Sequence, residues 1–532
     1  MVNLGARLAS NDSLGTQGKR TRRTVAQFDY RTLGPPETHG LLHTRPDESA
    51  FRTITRGQVI VLLAAVAACL VYVVAGAWTG GALGTRTIRL LVFINFVFTL
   101  FYIIHSLYKL LLITMSARSA REVVVSEAEV AALDKATLPV YTVLVPLYHE
   151  TESLAKLVKA LEELDYPADK LDIKLLLEED DEMTVSFADS LDLPPQFEKV
   201  IVPHSMPKTK PKACNLGLAR ARGEYLVIFD AEDRPEPDQL KKAIIGFSRV
   251  SAAGSESRRG DVICLQAKLN FYNRNQNLLT RWFATEYSTW FDLYLPGLGE
   301  IGSPIPLGGT SNHFRTSVLR EVSGWDPYNV TEDCDLGVRL YRRRYRTVML
   351  DSTTWEEACS RLGYWIRQRS RWIKGYVQTY LVHMRRPVRL LRQLGLWNFI
   401  NFQFVIGGNV LPFLLNPIYW LLAALWFGTR VEILTAIFPT SIFVMGAVCL
   451  FLGNFSFIYI GMIGAYKRRY YDLVKYGLII LPYWVLMSIG AWKGFIQLIR
   501  KPHFWEKTKH GLHLAAAGEE TTSPQPAAET SG

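Results

Sequence analysis

Tyr225-Leu226-Val227-Ile228-Phe229 runs directly into Asp230-Ala231-Glu232-Asp233, an apolar run that ends in a cluster of carboxylates. Such a β-branched and aromatic run, closed by acids and by Pro235 and Pro237, reads as a strand followed by a loop. The pattern repeats outward at Val140–Val145, Ile173–Leu177, Val200–Val202 and Val262–Leu265. Helical stretches such as Glu152–Leu164 and Lys212–Arg222 separate these runs. This alternation predicts an α/β domain over residues 138–360, a mostly parallel sheet covered by helices on both faces. Ligands in such sheets sit at the carboxyl ends of the strands, where the acids fall.

The 532 residues are 49% hydrophobic and 20% charged, which excludes intrinsic disorder. The formal net charge of +11 collects beside apolar stretches. It therefore points to a membrane face or a phosphorylated substrate rather than to nucleic acid. Six cysteines with no CxxC pair argue against a disulfide framework or a zinc ribbon. Cys214, Cys264, Cys334 and Cys359 lie in the polar middle and fit a reducing cytosol.

Residues 1–56 are polar and basic, including Lys19-Arg20-Thr21-Arg22-Arg23, and read as a loose cytosolic tail. Residues 57–113 form an apolar hairpin, with Gln58–Trp78 and Leu90–Tyr108 as its spans. After the α/β domain come basic amphipathic stretches, Tyr364–Met384 and Pro387–Leu396, expected at a membrane surface within residues 361–396. Residues 397–499 are a second transmembrane region, and 500–532 a cytosolic tail ending in low complexity. The positive-inside rule places both ends and the α/β domain in the cytosol. Keeping Arg500 and Lys501 inside favours six spans, with a hairpin in the uncharged 393–429 stretch.

Asp230 and Glu232, two residues apart at a strand end, suit one hard divalent cation; a solvated acidic turn is the plainer alternative. Glu178-Glu179-Asp180-Asp181 follows the preceding strand and offers acceptors to a base or ribose. Thr209–Asn215 opens a helix with Lys210 and Lys212, which suits a phosphate or an ordinary surface helix equally. Thr331-Glu332-Asp333 begins a helix, as a simple cap or with Asp333 as a general base. Gln368, Arg371 and Trp372 share one helical face, a forked donor beside a sugar-stacking ring or an interfacial Arg/Trp pair.

In this order these motifs resemble the processive family-2 glycosyltransferases of the cellulose, chitin and hyaluronan synthase type. The resemblance rests on Val145-Pro146-Leu147-Tyr148-His149-Glu150, the acidic pair, Asp230-Ala231-Glu232, Thr331-Glu332-Asp333 and Gln368-x-x-Arg371-Trp372. It implies a Rossmann-like GT-A catalytic domain inserted between transmembrane helices, in the inner (plasma) membrane. It also implies a UDP-sugar donor, Mg2+ or Mn2+, a growing β-linked glycan as acceptor, and room for export partner subunits. Asp230 and Glu232 match the metal and diphosphate motif, and Glu179 and Asp180 the nucleotide-contacting acids. Asp333 matches the base, beside Glu332, and Gln368, Arg371 and Trp372 match the motif holding diphosphate and acceptor. Lys212 joins the donor-binding set as the helix lysine. The metal motif reads DAE where the family has DAD, and Leu307–His313 stands at a small-residue acceptor loop, with His313 the next candidate base. The alternatives are a single-sugar transferase acting on a lipid-linked acceptor, and an export scaffold with a degenerate enzyme domain.

Overall fold

The computed structural model describes residues 35–78, 83–118, 121–254 and 260–506. Two apolar helices, α1 (Arg56–Trp78) and α2 (Leu83–Arg118), precede the sheet. Its strands are β1 (Tyr141–Leu147), β2 (Leu171–Glu178), β3 (Phe197–Val202), β4 (Tyr225–Ile228), β5 (Arg234–Pro235), β6 (Val262–Phe271), β7 (Asn312–Arg315) and β8 (Arg346–Glu356). They form one sheet in the order β3-β2-β1-β4-β7-β6-β8-β5. β1 is parallel to β2 and β4, β2 to β3, and β6 to β8, while β7 is antiparallel to both its neighbours. This is the expected GT-A sheet, Rossmann-like and mixed.

Side-chain alternation explains why these runs became central strands. Val143, Val145, Ile173 and Leu175 pack into the core on one face, while Leu144, Leu176, Leu226 and Ile228 pack on the other. Strands buried on both faces read as continuous apolar runs, and each buried Leu or Ile contributes about 1.5–3 kcal/mol.

The helices that frame the ligand end are α3 (Lys210–Arg220), α4 (Leu278–Thr289), α5 (Glu332–Arg342) and α6 (Leu362–His383). After them come α7 (Pro387–Phe402), α8 (Leu411–Thr429), α9 (Thr440–Lys467, with a π turn at Cys449–Gly453) and α10 (Leu481–Arg500). Four stretches are long and apolar enough to cross a membrane: Arg56–Ala75, Gly84–Ser116, Leu411–Thr429 and Thr440–Lys467. The outward side chains of α1 are exposed apolar groups such as Ile60 and Val61, which fits a helix facing lipid.

Three expectations meet the structure. Against the six expected spans, four helices among the described residues are long and apolar enough to cross a membrane. Gly395, at φ 76°, bends α7, and a π turn at Gln403–Gly407 follows it, so residues 393–410 form no straight helix of their own. Helix α10 is amphipathic: Lys493 and Gln497 bond Glu506 at 2.9 and 2.8 Å. Second, α6 is covered along one side, where Trp365, Arg369, Ser370, Lys374 and Gln378 are buried. Third, residues 35–55 are not loose. Ser49 Oγ donates to Asp326 at 2.9 Å, Glu48 pairs with Arg342 at 3.2 Å, and His503 Nε2 bonds the Phe51 carbonyl at 3.2 Å. The basic run 19–23 and residues 507–532 lie outside the described residues.

Helices α6 and α10 meet through glycines. A Cβ at Gly494 would stand 2.5 Å from the Ser370 carbonyl oxygen, and one at Gly490 3.1 Å from Arg369 Cβ. Backbone cannot yield as a flexible side-chain tip can. Gly494→Ala is therefore expected to cost about 1–3 kcal/mol, the usual penalty of overpacking. Thermal unfolding in detergent measures it, and an unchanged melting temperature would contradict this helix contact.

Candidate active site

A cavity of about 730 Å³ opens at the carboxyl ends of β1, β2 and β4 and continues between the apolar helices. Its sheet half is walled by Asp230, Glu232, Glu332, Asp333, Gln368 and Arg371. Sequence positions far apart converge here because strand ends and helix starts point to the same side of an α/β sheet.

Asp230 pairs with Lys210, whose Nζ also donates to the Gly309 carbonyl at 2.7 Å. The Asp230 amide donates to Asp233 Oδ2 at 2.7 Å, and Thr310 Oγ1 donates to the same oxygen. Asp233 Oδ1 is buried with no hydrogen-bond partner. Burial and the neighbouring carboxylates push Glu232, Asp233 and Glu356 well above the ordinary range. The acids outnumber Lys210 and Arg371, the cations beside them.

Glu332 and Asp333 occupy the first turn of α5, where the helix dipole favours negative charge. Asp333 Oδ1 accepts the Cys334 amide at 2.7 Å. Both carboxyls are raised by burial, Glu332 further by Asp333 beside it, with Lys210 and Arg371 opposing. Gly309 leaves room: a Cβ there would lie 3.4 Å from Asp333 Oδ2 and 3.9 Å from Lys210 Nζ. Gln368 Oε1 and Arg371 Nε are buried without hydrogen-bond partners, and the Arg371 guanidinium lies 4.3 Å over the Trp505 ring. Unpaired polar atoms in a cavity are acceptors and donors kept for a ligand.

Trp372 stands between the Arg369 guanidinium at 4.7 Å and the Tyr287 ring at 6.2 Å. Arg369 Nη1 in turn bonds Glu286 at 2.8 Å, and its Nη2 bonds Tyr483 Oη at 2.9 Å. This clamp holds the indole face at a fixed angle to the cavity.

The donor set fits a hard divalent cation. Asp230 and Glu232 are oxygen ligands at one strand end, and Asp233 Oδ1 behind them is buried without a hydrogen-bond partner. Among the described residues no three His, Cys, Asp or Glu side chains converge to hold a metal alone. Phosphate oxygens or water would have to complete its shell.

Several sequence assignments move. Lys212 is fully buried and donates to Glu178 at 2.7 Å, so it does not face the cavity; Lys210 does. Glu179 accepts the His204 amide at 2.8 Å and Asp180 pairs with Lys208, both outside the cavity wall, whereas Glu178 lines it. His313 is buried between Tyr141 Oη at 2.7 Å and Gln239 Oε1 at 3.2 Å, and burial lowers its imidazole to about 3. It sits on β7, facing the core, and cannot serve as a base. Glu286 and the wall from α2 carried no motif in the sequence.

Two family sequence profiles match: "Glycosyl transferase family 2" over residues 142–254 and "Glycosyl transferase family group 2" over 225–465. The probable glycosyltransferase YdaM of Bacillus subtilis is 25% identical over 344 residues, covering 60% of this chain and 80% of that protein. The β-monoglucosyldiacylglycerol synthase of Synechocystis sp. is 26% identical over 325 residues, covering 59% of this chain and 63% of that protein. Neither is named a cellulose, chitin or hyaluronan synthase. The mannosyltransferase PcManGT of Pyrobaculum calidifontis, solved with GDP-Man and Mn2+, aligns with a TM-score of 0.42 at 15% identity, over 77% of this chain and 99% of that one. These profiles mark family-2 glycosyltransferase domains within residues 142–465, and the chain is a glycosyltransferase.

The reassignment of the two lysines separates fold from site. Lys212→Met leaves Glu178 buried and unpaired, which is expected to cost roughly 3–5 kcal/mol of stability. Lys212→Met with Glu178→Gln should recover most of that loss. Unfolding midpoints of the two variants decide it, and equal midpoints would refute the buried pair.

Proposed function

We propose that this glycosyltransferase takes a UDP-sugar, inverts the anomeric centre and elongates a β-linked polysaccharide that leaves through its own membrane helices. The carrying observation is the single cavity. It joins the carboxylates at the strand ends to the space between α2, α8, α9 and α10. A cavity continuous in this way would let a product formed at Asp333 pass directly toward the helices.

The residues divide the work. Asp333 accepts the proton of the acceptor hydroxyl as its oxygen bonds to the anomeric carbon. The bond from that carbon to the diphosphate oxygen breaks, the electron pair stays on the diphosphate, and UDP leaves. Glu332, Lys210 and Arg371 fix the charge around Asp333. Lys210, Gln368 and Arg371 hold the diphosphate, with Arg371 offering the forked donor that suits phosphate. Trp372 gives the acceptor sugar a stacking face. Asp230 and Glu232 would hold Mg2+ or Mn2+, which supplies neutralisation of the negative charge gathering on the leaving group. Glu179 and Asp180 lie just outside the cavity wall beside Glu178, and contact with the base or ribose would reach them only at the rim.

The enzyme sits in the plasma membrane as a multi-pass protein, with the catalytic domain and both ends in the cytosol. Four spans satisfy that parity as six would. A second reading, one sugar added to a lipid-linked acceptor, draws support from the cavity's opening among apolar helices and from the glycolipid synthase among the relatives. Product size separates the two: a long polymer from UDP-sugar in detergent supports the first, one labelled glycolipid the second.

Three outcomes are expected. EDTA abolishes UDP release across a panel of UDP-sugars and Mg2+ or Mn2+ restores it; full turnover in excess chelator would remove the metal role. Asp333→Asn lowers turnover about 10²–10⁴-fold, the usual contribution of a positioned base, while UDP affinity changes little. Retention of more than a tenth of normal turnover would send the search for the base elsewhere. Because enclosure raises the Asp333 carboxyl, its proton is held to higher pH than usual. The acid limb of kcat/KM should therefore fall above the ordinary Asp value of about 3.9. A limb at or below that value would contradict the assignment.

A further inference from the structure

Helix α2 presents Tyr102, His105, Lys109 and Ile113 to the cavity, a spacing of three and four residues that makes one continuous face. Lys109 is the anomaly on it. Ionisable groups in membrane-spanning helices are rare and mark the path of a substrate or ion. Its Nζ lies over the rings of Tyr294 at 6.0 Å and Phe457 at 5.1 Å, inside the cavity instead of snorkelling outward. Among the described residues no carboxylate comes within 4.0 Å of it. His105, one turn away, is 2% exposed, and neither of its ring nitrogens has a hydrogen-bond partner. The spanning helices contribute Lys109 and asparagines to this wall; its acid is Glu286 on α4, which is already bonded to Arg369 at 2.8 Å and to Tyr483 Oη.

We propose that the membrane half of the cavity is an anion-reading acceptor subsite, in which Lys109, with His105 beside it, takes a carboxylate or phosphate substituent carried by the acceptor glycan. The proposal rests on the polysaccharide reading above and narrows it to an acidic product. A neutral glycan needs no cation on its path, because hydroxyls are matched by uncharged donors. A lipid phosphate offers the same chemistry as a glycan-borne group, and the test below separates the two sources.

The test uses the full chain in neutral phosphatidylcholine nanodiscs, loaded with UDP, and equilibrium dialysis of two probes of equal length. One is a β-linked gluco-oligosaccharide; the other is the same chain with its primary hydroxyls oxidised to uronates. The wild type is expected to prefer the uronate. Lys109→Met should weaken uronate binding about tenfold, the loss of one charge-assisted hydrogen bond, and leave the neutral probe unmoved. Lys109→Arg should keep the preference, and unchanged UDP affinity certifies the fold of both variants. Equal affinity for the two probes, no binding of either, or a shift in both alike with Lys109→Met would overturn the proposal. So would Lys109-dependent binding confined to a polyprenyl-phosphate lipid. Because dialysis needs no turnover, a uronate preference in an enzyme that makes only single-transfer product would reject the polymer reading and keep this one. Polymer made without that preference would reject this one alone.

Discussion

Negative charge held out of water is the constraint around which this molecule is arranged. Asp230, Glu232, Asp233, Glu332, Asp333 and Glu356 crowd one end of the sheet, with Lys210 and Arg371 as their nearest cations. Carboxylates so placed hold protons more tightly than in water, and each pushes its neighbours further. The site is poised to accept positive charge, whether as a divalent cation or as a proton released in a reaction. Helix α5 eases the strain by placing Glu332 and Asp333 over its own amino end.

Helix α6 carries that constraint into the membrane half. One face brings Gln368, Arg371 and Trp372 to the cavity, while Gly375 lets the helix approach Thr331 beside the acids. Its opposite side lies against α10 through Gly490 and Gly494. The segment after α10 then returns across it, with Lys374 donating to the Phe504 carbonyl at 2.6 Å and Gln378 to the Pro502 carbonyl at 2.9 Å. The chain beyond the last helix thus completes the cavity, placing Trp505 against Arg371.

A second network ties sheet to spans away from the cavity. Lys268 on β6 pairs with Glu122 and Asp351 at 2.6 Å each and lies 3.4 Å from Asp292. Arg468, just past α9, pairs with Asp292 at 2.8 Å and donates to Thr353 on β8 at 2.8 Å. Breaking one member of such a buried network leaves the rest uncompensated, so it fixes orientation more than it adds stability.

The sequence by itself determined the strands, the acids at their ends and the order of motifs, because these depend on local periodicity and on where a run stops. It could not decide which of two neighbouring residues faces the ligand. Lys210 and Lys212 are two apart on a helix and so point to different sides; one lines the cavity and the other pairs with Glu178 in the core. Glu178 and Glu179 alternate at the end of β2 for the same geometric reason, and His313 on β7 turns to the core. Lys109 follows directly on the Leu90–Tyr108 stretch and carried no role in the sequence. Only the packing of α2 against α9 and the Tyr294 turn put its ammonium inside the cavity, because a cavity belongs to several elements at once and no single segment encodes it.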